Sequence, residues 1–154
     1  LHGLFISWRN NGKKWSEGNY KDGKEDGLSV EWHENGQKKY ERNYKDGKLD
    51  GLSSAWHENA KKWSEGNYKD GEQEGLQTLW HENGQKMSEY TYKDGKLDGP
   101  SVMWHRNGQK RREAIFKDGE LISEKWWNNR GKPVIPKKNN PRCPPEPLAL
   151  TNDP

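Results

Sequence analysis

The chain has 154 residues, 27% hydrophobic and 33% charged, with a formal net charge of +3. That apolar supply excludes an ordinary two-layer core, and so polar a composition reads by itself as disorder. The charge is small and its signs are interspersed, which excludes a nucleic-acid footprint, and no apolar run reaches membrane-spanning length.

Nine tryptophans oppose the disordered reading, because each indole can bury a large apolar area. The chain opens within a unit, at Gly3, as a fragment or a trimmed product would. Trp8, Trp32, Trp56, Trp80 and Trp104 then follow at a constant stride of 24. Behind each comes a turn signal: Asn11-Gly12, Asn35-Gly36, Asn59-Ala60, Asn83-Gly84 and Asn107-Gly108. An aromatic lies twelve residues after each Trp, at Tyr20, Tyr44, Tyr68, Tyr92 and Phe116. Lys-Asp-Gly succeeds it, ending at Gly23, Gly47, Gly71, Gly95 and Gly119, and a second glycine follows at Gly27, Gly51, Gly75 and Gly99. Trp127 answers as a sixth Trp if one residue is lost near Ile122-Ser123. Such a period marks a repeat protein, in which one small element stacks on its copies.

Leu28 to His33 alternates as a half-exposed strand does. Asn35-Gly36 predicts a two-residue type I′ hairpin turn, Lys38 to Tyr44 the return strand, and Lys45-Asp46-Gly47 the next reversal. Helical periodicity is absent, and a glycine every few residues disfavours helices. The expected fold is all-β: a single-layer, twisted antiparallel meander of about five and a half 24-residue hairpins. At roughly 9.6 Å per unit it would form a ribbon about 50 Å long. The repeats occupy 1–131. The tail, 132–154, holds seven of the eight prolines and is expected to be extended or disordered.

A two-residue Asn-Gly turn places Trp8 opposite Trp15, Trp56 opposite Trp63, Trp80 opposite Met87, Trp32 opposite Lys39 and Trp104 opposite Arg111. One face would then carry a continuous row of indoles and long side chains. The tyrosine column falls on the other face if Asp46-Gly47 is a tight turn, and on the same face if Gly47 or Gly51 hosts a bulge.

Tyr44-Lys45-Asp46-Gly47-Lys48-Leu49-Asp50-Gly51, leading to Trp56, resembles the MORN repeat. Trp32-His33-Glu34-Asn35-Gly36-Gln37-Lys38-Lys39 is similar to the variant found in bacterial YwqK-like proteins. The resemblance covers residues 3 to about 131. It departs at Ala60, at Pro100, at Ser123, and at Arg42 and Tyr90, where other units hold Gly18 and Gly66. It implies a platform that binds proteins or lipids, and an antitoxin partnered with a toxin.

Chemistry finds little purchase. His33, His57, His81 and His105 recur, but equivalents about 10 Å apart cannot share a metal held at about 2 Å. Glu17, Glu41, Glu65, Glu89 and Glu113 form a column of like environments, whereas acid–base work needs two unlike ones in a pocket. The only cysteine, Cys143, excludes an intrachain disulfide and leaves the redox compartment open. No enzyme, metal or cofactor is expected. The expected role is a non-enzymatic module that binds another protein, a toxin among the candidates. It would bind along Trp32, Trp56, Trp80 and Trp104, with Tyr44, Tyr68 and Tyr92 lining the surface, or at an open sheet edge. The alternative is a module for glycans or lipid headgroups. Nucleic acid is not an expected partner. A soluble chain of the cytoplasm is expected, with a cleaved leader as the other option.

Overall fold

A computed structural model describes residues 1–135; the rest of the proline-rich tail lies outside the described residues. Twelve antiparallel strands form one sheet in strict chain order. They are β1 (Gly3–Trp8), β2 (Lys14–Lys21), β3 (Lys24–Trp32), β4 (Lys38–Lys45), β5 (Lys48–Trp56), β6 (Lys62–Lys69), β7 (Glu72–Trp80), β8 (Lys86–Lys93), β9 (Lys96–Trp104), β10 (Lys110–Lys117), β11 (Glu120–Trp127) and β12 (Pro133–Val134). Among the described residues no second layer covers either face. Eleven steps of about 4.8 Å make the array about 53 Å long.

The two kinds of reversal are built differently. At Lys45-Asp46-Gly47-Lys48, Asp46 has φ +50° and Gly47 φ +84°, and Lys45 pairs with Lys48. That is a two-residue type I′ turn. At Asn35-Gly36 only Gly36 has positive φ. Gly36 N donates to the His33 carbonyl and His33 N to the Gln37 carbonyl, so three residues make the loop: a type I turn closed by a left-handed residue. Asn35 Oδ1 accepts the Gln37 N–H at 2.9 Å, which spends its side chain on the loop rather than its backbone on positive φ.

This corrects the expected two-residue turn and the Trp pairings drawn from it. Trp32 pairs with Lys38, and Glu31 with Tyr40, so Lys39 is the extra residue of a bulge. Trp8, Trp56, Trp80 and Trp104 likewise face Lys14, Lys62, Lys86 and Lys110. Trp15, Trp63, Met87 and Arg111 occupy the bulge position instead. The strand bodies beyond the bulge keep the expected register, with Val30 opposite Glu41.

A wider bulge sits near the other turn. Tyr44 pairs with Leu49 and Arg42 with Ser53, leaving Asn43 against Asp50-Gly51-Leu52. Asn43 Nδ2 donates to the Leu52 carbonyl at 2.9 Å. Gly51, at φ +106°, lies opposite Tyr68 on the next strand; Gly27 faces Tyr44 and Gly75 faces Tyr92 in the same way. β11 is one residue shorter, and there only Ile122 is skipped between Leu121 and Ser123. The residue lost from the last unit is the one this bulge uses.

Alternation along β3 puts Leu28, Val30 and Trp32 on one face. Tyr40, opposite Glu31, falls on the other with Arg42 and Tyr44, and the Arg42 guanidinium lies 4.0 Å from the Tyr40 ring centroid. The indole and phenol columns therefore occupy opposite faces. Burial falls on both faces: Val30, Ser54 and Thr78 are buried on the indole face, and the larger group is on the phenol face. There Ala55, Ser88, Ser101 and Ala114 are buried, as are Tyr90, Tyr92, Phe116 and Arg112. Arg112 covers Phe116 and Trp126, and binds Glu124 at 2.8 Å. Long stems thus stand in for a second layer.

Candidate binding face and its stacked hairpin tips

Four of the five tips are fastened to the tip after them. His33 Nε2 donates to the Trp56 carbonyl at 2.8 Å, His57 to that of Trp80 at 3.3 Å, and His105 to that of Trp127 at 3.0 Å. The last bond establishes Trp127 as the sixth member of the column. Arg9 Nη2 makes the same contact to Trp32 at 2.9 Å. Asn35, Asn59 and Asn107 donate to the carbonyls of Glu58, Glu82 and Asn129. The histidines are inter-repeat clamps. His81 departs from the series: its Nε2 is buried without a partner. Burial, then the charges of Arg106 and His57, push its pKa down.

The lysines opposite the tryptophans knit the row together. Lys14 Nζ lies 5.1 Å from the Trp32 ring centroid, Lys38 5.4 Å from Trp56, Lys62 5.7 Å from Trp80 and Lys86 5.8 Å from Trp104. Each is a cation–π contact to the following repeat. The same lysines bind the glutamate column, Lys14 to Glu17 at 2.7 Å and Lys38, Lys62, Lys86 and Lys110 to Glu41, Glu65, Glu89 and Glu113. The Lys62 hydrogen bond, helped by one from Ser54, holds the Glu65 carboxyl below its usual range. Exposed pairs of this kind add little stability singly; here they order the ammonium groups over the rings.

Trp32, Trp56, Trp80 and Trp104 are therefore half-buried, flanked by cations rather than by one another. Tyr44 and Tyr68 are half-buried on the opposite face and Tyr92 is 7% exposed, its pKa pushed up to about 12 by burial. The structure thus puts the seven aromatics named as a binding surface on two faces, which is the branch that a tight Asp46-Gly47 turn implies. What lies open on the indole face is a second column. Leu28, Leu52 and Leu76 are 43%, 44% and 52% exposed, at the same 24-residue stride and four positions before each Trp. Their period was visible in the sequence; their exposure follows from having Asn, not an aromatic, as cross-strand neighbour at Asn43 and Asn67.

Among the described residues no group of three or more His, Cys, Asp or Glu is placed to hold a metal ion, and no helix is long and apolar enough to cross a membrane. The family model described as MORN repeat variant matches residues 1–22, 25–46, 73–94 and 97–118. The unmatched hairpin between them, β5 and β6, has the same pairings as its neighbours, with Ala60 adopting φ +61° where other units use glycine. No curated protein matches the chain.

Proposed function

The chain belongs to the MORN repeat variant family, and from that premise we propose that it is a non-enzymatic module docking another protein on its indole face. Repeats of this kind are generally modules that bind proteins or membranes. The observation that carries the reading is the periodic open face itself. An exposed leucine column runs beside a row of half-buried indoles with ammonium groups over them, both repeating about every 9.6 Å. Contiguous apolar surface rimmed by polar groups is where partners dock. Trp32, Trp56, Trp80 and Trp104 supply the rim on this reading; Tyr44, Tyr68 and Tyr92 serve the opposite face and hold the sheet. A toxin partnered in the manner of YwqK-like proteins is the narrowest form of the proposal.

The test compares two faces. The whole chain, the indole-face variant Leu52→Asp/Leu76→Asp and the opposite-face variant Glu31→Gln are used for affinity capture, and recovered proteins are titrated as purified pairs. The expected result is one partner retained by the parent and by Glu31→Gln, and weakened about a hundredfold by the leucine variant. A partner indifferent to both leucines would remove the indole face from the reading.

A further inference from the structure

Between the second and third hairpin tips the margin of the sheet is hollowed into an open cleft of about 450 Å³. Trp63, the extra residue of the β6 bulge, forms one wall. Its ring is tilted on His57, with centroids 6.4 Å apart. Tyr40 and Lys39 also line the recess, with the Lys39 ammonium 5.1 Å from the phenol centroid. Glu58 and Glu82 also line the cleft, and neither carboxylate has an ion-pair partner among the described residues. The two turns that carry them are pinned by Asn35 and Asn59 through bonds of 2.7 and 2.9 Å to their carbonyls, so the recess exists before any ligand arrives. Later hairpins place Met87 and Arg111 where Trp63 stands, so its indole wall belongs to this junction.

The chemistry of the walls narrows the occupant. A cation would meet the Lys39 ammonium already seated on the phenol. An anion would face two carboxylates. A wholly apolar ligand would strip water from Lys39, Glu58 and Glu82 and give them nothing in return. A neutral polyhydroxylated ring meets all of these groups. Its C–H face lies on the Trp63 indole, its hydroxyls donate to the carboxylates, and its oxygens accept from Lys39. The volume is within the range of small-ligand sites. We propose that this cleft binds a short neutral saccharide. The cleft borders the docking row at Trp56, but Trp63 and Glu82, on which its test rests, belong neither to the leucine column nor to that row, so the two readings can fail separately.

The experiment titrates the whole chain with maltose, cellobiose and N,N′-diacetylchitobiose, following calorimetry and tryptophan emission. Inorganic phosphate and choline are the anionic and cationic counter-probes. A saturable response to at least one disaccharide is expected, weakened about tenfold by Trp63→Ala and by Glu82→Gln and unchanged in Trp15→Ala. Glu82 is an exposed turn residue, so Glu82→Gln keeps the test valid even if loss of Trp63 disturbs folding. Silence from all three disaccharides, a response that survives both substitutions, or binding of phosphate or choline in their place would overturn the proposal.

Discussion

The two long margins of the sheet are held by different chemistry. At the Asn-Gly margin, side chains reach from one repeat to the next: His33 to Trp56, Asn35 to Glu58, Lys38 over Trp56. At the Lys-Asp-Gly margin the backbone does this work. Gly47 N donates to the Glu25 carbonyl, Gly71 N to that of Leu49, Gly95 N to that of Gln73 and Gly119 N to that of Leu97. Acidic side chains assist, Glu74 accepting from Asp94 N at 2.9 Å. The charges differ as sharply. Every lysine opposite a tryptophan is ion-paired, whereas of the lysines flanking the Lys-Asp-Gly turns only Lys117 has a carboxylate partner among the described residues, Asp98 at 2.8 Å. Lys45 even stands directly opposite Lys48, and Lys93 opposite Lys96. One margin is therefore specified by residue identity and the other by backbone conformation.

The largest effect should come from the backbone margin. Gly51→Val forces a β-branched residue to φ +106°, with its Cβ 3.4 Å from that of Asn43. A loss of about 2–3 kcal/mol is expected in urea unfolding. Gly36→Ala at the other margin should cost about 1 kcal/mol, because no atom crowds its Cβ position and Ala60 already adopts φ +61°. Equal losses would erase the distinction.

Charge reversal sharpens it further, with opposite signs. Lys38→Glu removes the cation from Trp56 and turns the Glu41 pair repulsive, a loss of about 0.5–1 kcal/mol. Lys48→Glu converts a like-charge cross-strand pair into an opposite one, a gain of about 0.2–1 kcal/mol. Both changes should shrink in molar salt. Two losses of similar size would mean that the Lys45–Lys48 pair is stabilised by something other than charge.

The smallest effect is a pH slope. His81 has a folded pKa below the ordinary 6.5, so the unfolded chain takes up its proton first. Its contribution is present above pH 6.5 and is lost as the pH falls from there through the folded value. Melting curves from pH 7.5 to 5 should show this fall in the parent and a shallower one in His81→Gln. Parallel curves would mean that the orphaned imidazole is hydrated.

Strand order, repeat length and the register of the strand bodies were all legible, because the period locks Val30 to Glu41 whichever turn joins their strands. The opposed faces of Trp32 and Tyr44 were legible as one of two branches, which a tight Asp46-Gly47 turn decides. The Asn-Gly loop was not. Asn-Gly suits a two-residue turn and a three-residue one alike, and the choice rests on where the next repeat offers the carbonyls of Trp56 and Glu58 to His33 and Asn35. That information lies 23 residues away. The same slip hid the role of Lys38 and made Trp63 look like a partner of Trp56, when the bulge sends it to His57 and the cleft.

The lysine cover has a direction. Lys14, Lys38, Lys62 and Lys86 each shelter the indole of the hairpin that follows, so the repeats overlap like roof tiles laid from the amino end. Trp8 has no tile before it in the described structure; only Lys14 of its own hairpin approaches, at 5.9 Å, and the ring is 60% exposed. Stripping a hairpin from that end bares a fresh indole to water, while stripping one from the far end bares none. Near-identical units thereby acquire a front and a back, and fraying from the two ends would differ in the colour of the fluorescence.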